Sequence, residues 1–283
     1  MPLLIFGKTG QVAQALTRLA PQALALGRAE ADLADPAACA AAIHAARPGA
    51  VINAAAWTAV DRAETEETAA TVVNGAAPAA MARACADLGI PLVQISTDYV
   101  FDGHGTAPFL PDDPVAPLNA YGRSKLAGEQ GVRDSGAVHA ILRTSWVFSA
   151  QGQNFVKTML RLGRERAELR VVEDQIGGPT PAMAIARACL TLATHLQEDP
   201  AVTGTYHFAG APDVSWAGFA RAIMAQAGLD CRVTGIATAD YPTPAQRPAN
   251  SRLACPDLAR VGLARPDWRA ALTEVLTELG ATT

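Results

Sequence analysis

The first thirteen residues constrain the fold more than any other stretch of this chain. Pro2-Leu3-Leu4-Ile5-Phe6 is a short apolar run that breaks at Gly7, and after Lys8-Thr9-Gly10-Gln11 a helical pattern sets in with Val12, Leu16 and Leu19. Strand, glycine turn and helix in immediate succession form a βα unit whose free N–H groups and helix dipole face an anion such as a pyrophosphate. The spacing is Gly-x-x-Gly-x-x-Ala, not the commoner Gly-x-Gly-x-x-Gly. Ala13 can take the last position because close helix-to-strand packing there usually tolerates a methyl group. An ordinary strand-to-helix turn has the same local pattern, so the rest of the chain has to decide between the two.

The alternation continues. Ala23 to Leu26 reads as a second strand ending at Gly27-Arg28, where the adenosine ribose lies in dinucleotide folds. An acidic residue there would take the 2′-hydroxyl, whereas Arg28 offers a fork for a 2′-phosphate and favours NADPH over NADH, unless it is an ordinary surface arginine. Asp32-Leu33 follow closely enough to touch the adenine, and Asp35-Pro36 reads as an N-cap with proline at N1. A helix from Pro36 to Ala46 leads to a third strand, Ala50 to Ala56, whose small residues let a cofactor approach the backbone beside Ala56-Trp57-Thr58; Trp57 reads equally as a core or lid residue. Asp61, Glu64, Glu66 and Glu67 sit where the next helix begins and read mostly as its solvated start. That helix runs past Asn74-Gly75 to Leu88 and closes at Gly89, before a buried strand from Pro91 to Ser96. Strands alternating with helices in this way specify a parallel sheet covered on both faces.

Thr97-Asp98 stand at the carboxyl end of that strand, where open α/β sheets bind ligands. A proline- and glycine-rich loop from His104 to Asn119 then leads directly to Tyr121, with Lys125 four residues later. Phenol and amine four apart share one helix face, where an ammonium favours the phenolate, which is the chemistry of a proton donor. Beyond this helix the chain reads as a strand from Ala140 to Phe148, Asn154-Phe155 opening a helix, a conspicuous turn at Asp174 to Thr180, a helix from Ala182 to Leu196 and a strand from Gly204 to Phe208. The segment Tyr241 to Arg252 is too proline-rich for a helix; its arginines, Arg247 first among them, suggest a clamp for an anionic substrate.

At 283 residues, half of them hydrophobic and 18% charged, the chain suits one large or two modest domains. A net charge of -4 with a pI near 5.7 supplies no electrostatic reason for a nucleic-acid or membrane partner. Five widely spaced cysteines without a Cys-x-x-Cys pair indicate neither a disulfide framework nor zinc, and no apolar run approaches the ~18 residues of a membrane span. Met1 to Phe6 lacks the cationic start and the length of a signal peptide, so a cytoplasmic location is expected.

Pieces running nearly end to end, GKTGQVA, NAAAWTAVDRAE, STDYVFDG, PLNAYGRSKLAGE, RTSWVF, NFVKTML, DQIGGPT and YPTPAQRPANSRL, resemble the extended short-chain dehydrogenase/reductases and, within them, the dTDP-4-dehydrorhamnose reductase family. The resemblance implies an α/β fold: a Rossmann-type doubly wound NAD(P)-binding domain over residues 1–149, completed by parts of 181–209, and a smaller nucleotide-sugar-binding domain from 150–180 and 210–283. It implies reduction of the C4 ketone of dTDP-4-dehydro-β-L-rhamnose to dTDP-L-rhamnose by NADPH or NADH, in a monomer or homodimer. Carried over by position, Thr97, Tyr121 and Lys125 match the catalytic triad, and Tyr121 and Lys125 also touch the cofactor. Asp98, Trp146, Asn154 and Arg247, with Thr97, fall to the sugar substrate. Gly7, Gly10, Gln11, Val12, Arg28, Asp32, Leu33, Ala56, Trp57 and Thr58 fall to the dinucleotide. Two departures are Ala13 for a third glycine and Trp57 where histidine is expected. Some relatives dimerise through magnesium held by glutamates near the first helix; Gln14 and Ala15 offer no carboxylate, so no metal is expected. A nucleotide-sugar epimerase or dehydratase that returns its hydride, and a non-catalytic subunit with this fold, remain as alternatives.

Overall fold

The structure is a computed structural model and describes residues 2–282. Its first elements are β1 (Leu3–Phe6), α1 (Gln11–Leu19), β2 (Leu24–Leu26), α2 (Pro36–Ala46), β3 (Ala50–Asn53), α3 (Val60–Ala63), α4 (Glu67–Thr71), α5 (Ala77–Leu88), β4 (Leu92–Thr97), α6 (Ala120–Arg133) and β5 (His139–Thr144). After them come β6 (Val147–Phe148), α7 (Phe155–Glu165), β7 (Glu168–Val172), β8 (Ile176–Gly177), β9 (Thr180–Pro181), α8 (Ala182–Glu198) and β10 (Gly204–His207). The chain ends with β11 (Val214–Ser215), α9 (Trp216–Gln226), β12 (Arg232–Ile236), β13 (Asn250–Ser251) and α10 (Trp268–Glu278).

Six strands form one sheet in the order β10-β5-β4-β3-β1-β2, every neighbouring pair parallel. Successive side chains of a strand point to opposite faces, and both faces here are apolar. Ile5, Ile52, Val93 and Leu142 pack with Leu16 of α1 and Ile185, Cys189 and Leu192 of α8. Leu4, Val51, Leu92 and Ile141 pack on the other side with Cys39 and Ile43 of α2 and Met81 and Cys85 of α5. This is the doubly wound arrangement, and the strand order reverses between β1 and β3, so a crevice opens at their carboxyl ends.

A further hydrophobic cluster joins Phe148, Val156, Leu160, Leu169, Phe219, Ile223, Trp268 and Leu272, with β7 and β12 paired in parallel beside it. The expected strand from Ala140 to Phe148 is in fact two: β5 ends at Thr144, Trp146 takes a left-handed φ of 48°, and β6 pairs with β9 instead. The expected helix from the Asp61 region to Leu88 is also broken. After the single turn of α3, α4 runs into a π-helical segment over Val72–Ala76 before α5. The wide π turn faces α6 at very short range, since a Cβ on Gly128 would stand 2.1 Å from the Asn74 carbonyl oxygen, and α5 continues the contact, a Cβ on Gly131 standing 2.5 Å from the Ala79 Cβ.

Candidate active site

β4 and α6 bring the central residues together. Thr97 closes β4; its Oγ1 accepts from Tyr99 N at 3.2 Å and donates to Asp98 Oδ1 at 3.0 Å. Asn119 caps α6 by accepting from Gly122 N at 2.8 Å. The start of the helix rests directly on the turn after Thr97, because a Cβ on Gly122 would lie 2.2 Å from the Tyr99 carbonyl oxygen. Tyr121 therefore comes to the carboxyl end of β4, edge-on to Tyr99 with ring centroids 5.6 Å apart. One turn later Lys125 is buried and donates from Nζ to the Ile95 carbonyl at 2.7 Å.

Burial sets the protonation of all three groups. The Tyr121 phenol is pushed well above its ordinary value by desolvation, only partly offset by hydrogen bonding with Thr97, and Asp98 pushes it further. Desolvation raises Asp98 to about 6, and its Oδ2 is buried without a hydrogen-bond partner. Lys125 is lowered to about 8 by desolvation, with Glu129 opposing. Lys125 Nζ is engaged by the Ile95 carbonyl, and desolvation is the largest influence on the Tyr121 phenol. Tyr121 is stored as the acid, as a proton donor requires.

The glycine turn lies at the crevice. Gly7 has φ 113°, and a Cβ there would meet Ala13 Cβ at 3.2 Å and Ala54 C at 3.3 Å, so glycine is required twice over. Gly10 caps α1 without any side-chain hydrogen bond, leaving the N–H groups of the first turn open. Gln11 is held by Ser149, which donates to its Oε1 at 2.9 Å, and Asn154, which donates at 3.0 Å. Val12 and Leu33 are buried in the two sheet cores, so they can serve a ligand only through the backbone. Arg28 is exposed and lies 3.7 Å from Asp32, which also accepts from Ala34 N at 2.9 Å. The Ala56-Trp57-Thr58 segment follows β3, and Trp57 packs in one cluster with Tyr121.

Of the expected sugar contacts, Asp98 adjoins Thr97, and Trp146 stacks on Trp216 with centroids 3.6 Å apart. Gly177 makes room for this pair, since a Cβ there would be 2.9 Å from the Trp146 ring. Asn154 stands elsewhere: it caps α7 and its amide is engaged by Gln11 and Ser149, beside the glycine turn. Arg247 is forked onto Asp61, with both N–O distances 2.8 Å. That pairing corrects the reading of the four carboxylates as a solvated helix start. Glu64 accepts from Ala120 N at 2.8 Å and Glu67 takes the Arg123 guanidinium at 2.7 and 2.8 Å, because the one-turn α3 and the bend after it aim them at α6. Glu66 alone stays local, paired with Arg62.

The described geometry has counterparts. The family model for the RmlD substrate binding domain matches residues 1–281. The chain belongs to this family. It is 44% identical to a dTDP-4-dehydrorhamnose reductase of Sinorhizobium fredii, with 95% of this chain and 94% of that protein aligned. Among solved structures it superposes on a dTDP-4-dehydrorhamnose reductase of Clostridium acetobutylicum with a TM-score of 0.93 at 35% identity, covering 99% of this chain and all of the other. The Bacillus anthracis dTDP-4-dehydrorhamnose reductase in complex with NADP gives 0.91 at 34% identity, covering 98% and 100%.

In this member of the RmlD family, several site residues carried no signal in the sequence. Buried Asn74, on the π segment, accepts from Trp57 N at 2.8 Å and donates to Trp57 O at 3.0 Å and Ser124 Oγ at 2.9 Å, so it ties the loop after β3 to α6. Glu129 is fully buried, accepts from Ser96 Oγ at 2.6 Å and takes Arg143 at 2.9 and 2.7 Å, locking α6 to β4 and β5 just behind the site. Its spacing did carry a trace: Tyr121, Lys125 and Glu129 fall on one face of the helix. Tyr99 and Trp216 reach the site only through tertiary packing.

Proposed function

We propose that this chain reduces the C4 ketone of dTDP-4-dehydro-β-L-rhamnose to dTDP-L-rhamnose, with NADPH or NADH as reductant. The observation that carries the reading is the convergence of Thr97, Tyr121 and Lys125 at the carboxyl end of β4, beside an open glycine turn. The names of full-length relatives support it. The open first turn of α1 fits a pyrophosphate, and bound there the reduced nicotinamide supplies the hydride.

The chain's own residues do the rest. Tyr121, protonated in its desolvated position, gives its proton to the ketone oxygen as charge develops there. Thr97 orients that oxygen and the phenol together. Lys125, buried and lowered to about 8, stabilises the phenolate left behind and helps return a proton to it. Asp98 offers its unpartnered oxygen to a sugar hydroxyl, and Trp146 forms the wall on which the sugar ring rests. Arg247 completes the substrate side, exchanging Asp61 for the diphosphate, while Asn154, engaged with Gln11 beside the glycine turn, reaches a substrate only by releasing that amide contact. The division at residue 149, with a nucleotide-sugar-binding part built from 150–180 and 210–283, and the cytoplasm as the place of work, belong to the same proposal. Among the described residues no helix is long and apolar enough to cross a membrane.

The test follows NADPH and NADH absorbance separately with dTDP-4-dehydrorhamnose. Equimolar loss of reductant and ketone is expected, whereas sugar conversion without net consumption of added reductant would overturn the assignment.

A further inference from the structure

The carboxyl ends of β1 and β2 lie side by side, since Gly7 N donates to the Leu26 carbonyl at 2.7 Å. Just beyond that bond, Gly27 N donates to Glu30 Oε2 at 2.9 Å, and Lys8 reaches over from the glycine turn to Glu30 Oε1 at 2.5 Å. The packing is close: a Cβ on Gly27 would stand 3.2 Å from both Glu30 Oε2 and Lys8 Cδ. The next residue, Arg28, has a side chain 85% exposed and no shorter ionic contact than the 3.7 Å to Asp32. The Lys8 hydrogen bond holds Glu30 below the ordinary carboxylate range, so it stays ionised at neutral pH. A backbone N–H and an ammonium converging on a carboxylate, with the exposed arginine on the adjacent residue held only loosely by Asp32, have the chemistry of an anion subsite. Here the anion in it is the protein's own side chain.

The position is also informative. Glu30 comes about 20 residues after the glycine turn, the distance at which dinucleotide folds place the group that meets the ribose 2′ position.

We propose that Glu30 is a built-in anion mimic: it occupies the 2′ subsite formed by Gly27 N–H, Lys8 and Arg28, and the 2′-phosphate of NADPH displaces it. The proposal rests on reading the turn after β1 as the dinucleotide site. NADPH gains Lys8 and Arg28 but has to release Lys8 from Glu30 first, and the displaced carboxylate then repels the phosphate. NADH carries no phosphate and leaves the clasp closed. Glu30 thus narrows the NADPH preference that Arg28 confers, and admits both reductants.

Calorimetric dissociation constants for NADPH, NADH, adenosine 2′,5′-bisphosphate and 5′-AMP, measured on the wild-type chain and on Glu30→Gln and Lys8→Met, test this. Glu30→Gln is expected to tighten NADPH and the bisphosphate about three- to tenfold and to leave NADH and 5′-AMP within about twofold, the scale of exposed charge pairs. Lys8→Met is expected to weaken the same two 2′-phosphorylated ligands by a similar factor. Weaker NADH binding by Glu30→Gln, with NADPH unchanged, would make Glu30 an acceptor for the 2′-hydroxyl and overturn the mimic. Equal changes for all four ligands, or none, would overturn it as well, the former making Glu30 purely structural. A wild-type chain that binds neither dinucleotide would instead remove the dinucleotide site itself, and the proposal with it.

Discussion

At the scale of single residues, burial moves each group of the site away from its ordinary pKa: the Tyr121 phenol and the Asp98 carboxyl upward, the Lys125 ammonium downward. Tyr121→Phe removes the proton and keeps the ring, so kcat should fall about 10²- to 10⁴-fold with KM little changed, as steady-state kinetics would show. Asp98 makes a sharper test, through stability. Its carboxyl is raised from 3.8 to about 6, so between those values the folded protein holds a proton that the unfolded chain has released. Stability therefore falls as pH rises through that window, and the deficit above it is about 3 kcal/mol. Asp98→Asn removes the deficit, and its melting temperature should exceed wild type by roughly 5 °C at pH 8, with about half that gain left at pH 5. A uniform loss at both pH values would show that the carboxylate is stabilising and the assignment of its burial wrong.

At the scale of elements, α6 is the part on which the site depends, and its position is set by glycines. Gly128→Ala would place a methyl 2.1 Å from the Asn74 carbonyl on the π segment, so α6 has to move or Asn74 has to release Trp57. Overpacking of this kind costs about 1–3 kcal/mol, and chemical denaturation should report it. Because Lys125 lies one turn before Gly128 on the same helix, kcat should fall as well. Ala127→Ser, one residue earlier on an exposed position, should leave both unchanged. The helix itself was legible from the Tyr121-Lys125 spacing, as were the glycine turn and the strands of the sheet, because burial on both faces demands continuous apolar runs. The π turn was not legible, since Val72 to Ala76 carries an ordinary helical composition and only contact with α6 makes the wider turn favourable.

At the scale of the whole molecule, the segment from Tyr241 to Arg252 is fastened at several points to α3 and to the loop between β4 and α6. Asp61 accepts Arg247 and the Ala245 N–H, Asn119 donates to the Gln246 carbonyl at 2.8 Å, and Asn250 donates to the Ala107 carbonyl at 2.8 Å. Pro248 sits so close to Gly103, 2.4 Å from where a Cβ would be, that only glycine fits there, with its φ of 66°. If Arg247 exchanges Asp61 for substrate, the two should couple in a double-mutant cycle read in KM. Arg247→Ala is expected to raise KM about tenfold or more, Asp61→Asn to lower it or leave it unchanged, and the double variant to match Arg247→Ala. A KM increase in Asp61→Asn as large as in Arg247→Ala would make the pair a purely structural fastening.

The parallel sheet, the glycine turn and the pairing of Tyr121 with Lys125 on one helix face were fixed locally, because each rests on apolar period, φ requirements or helical spacing. Tertiary structure decided what those groups experience. Whether Lys125 faces a phenol or a carbonyl, whether Asp61 is solvated or paired across 186 positions, and whether Lys8 is free or clasped by Glu30 all depend on burial and on partners distant in the chain. Charge and hydrogen-bond energies change with both, and no local pattern encodes either.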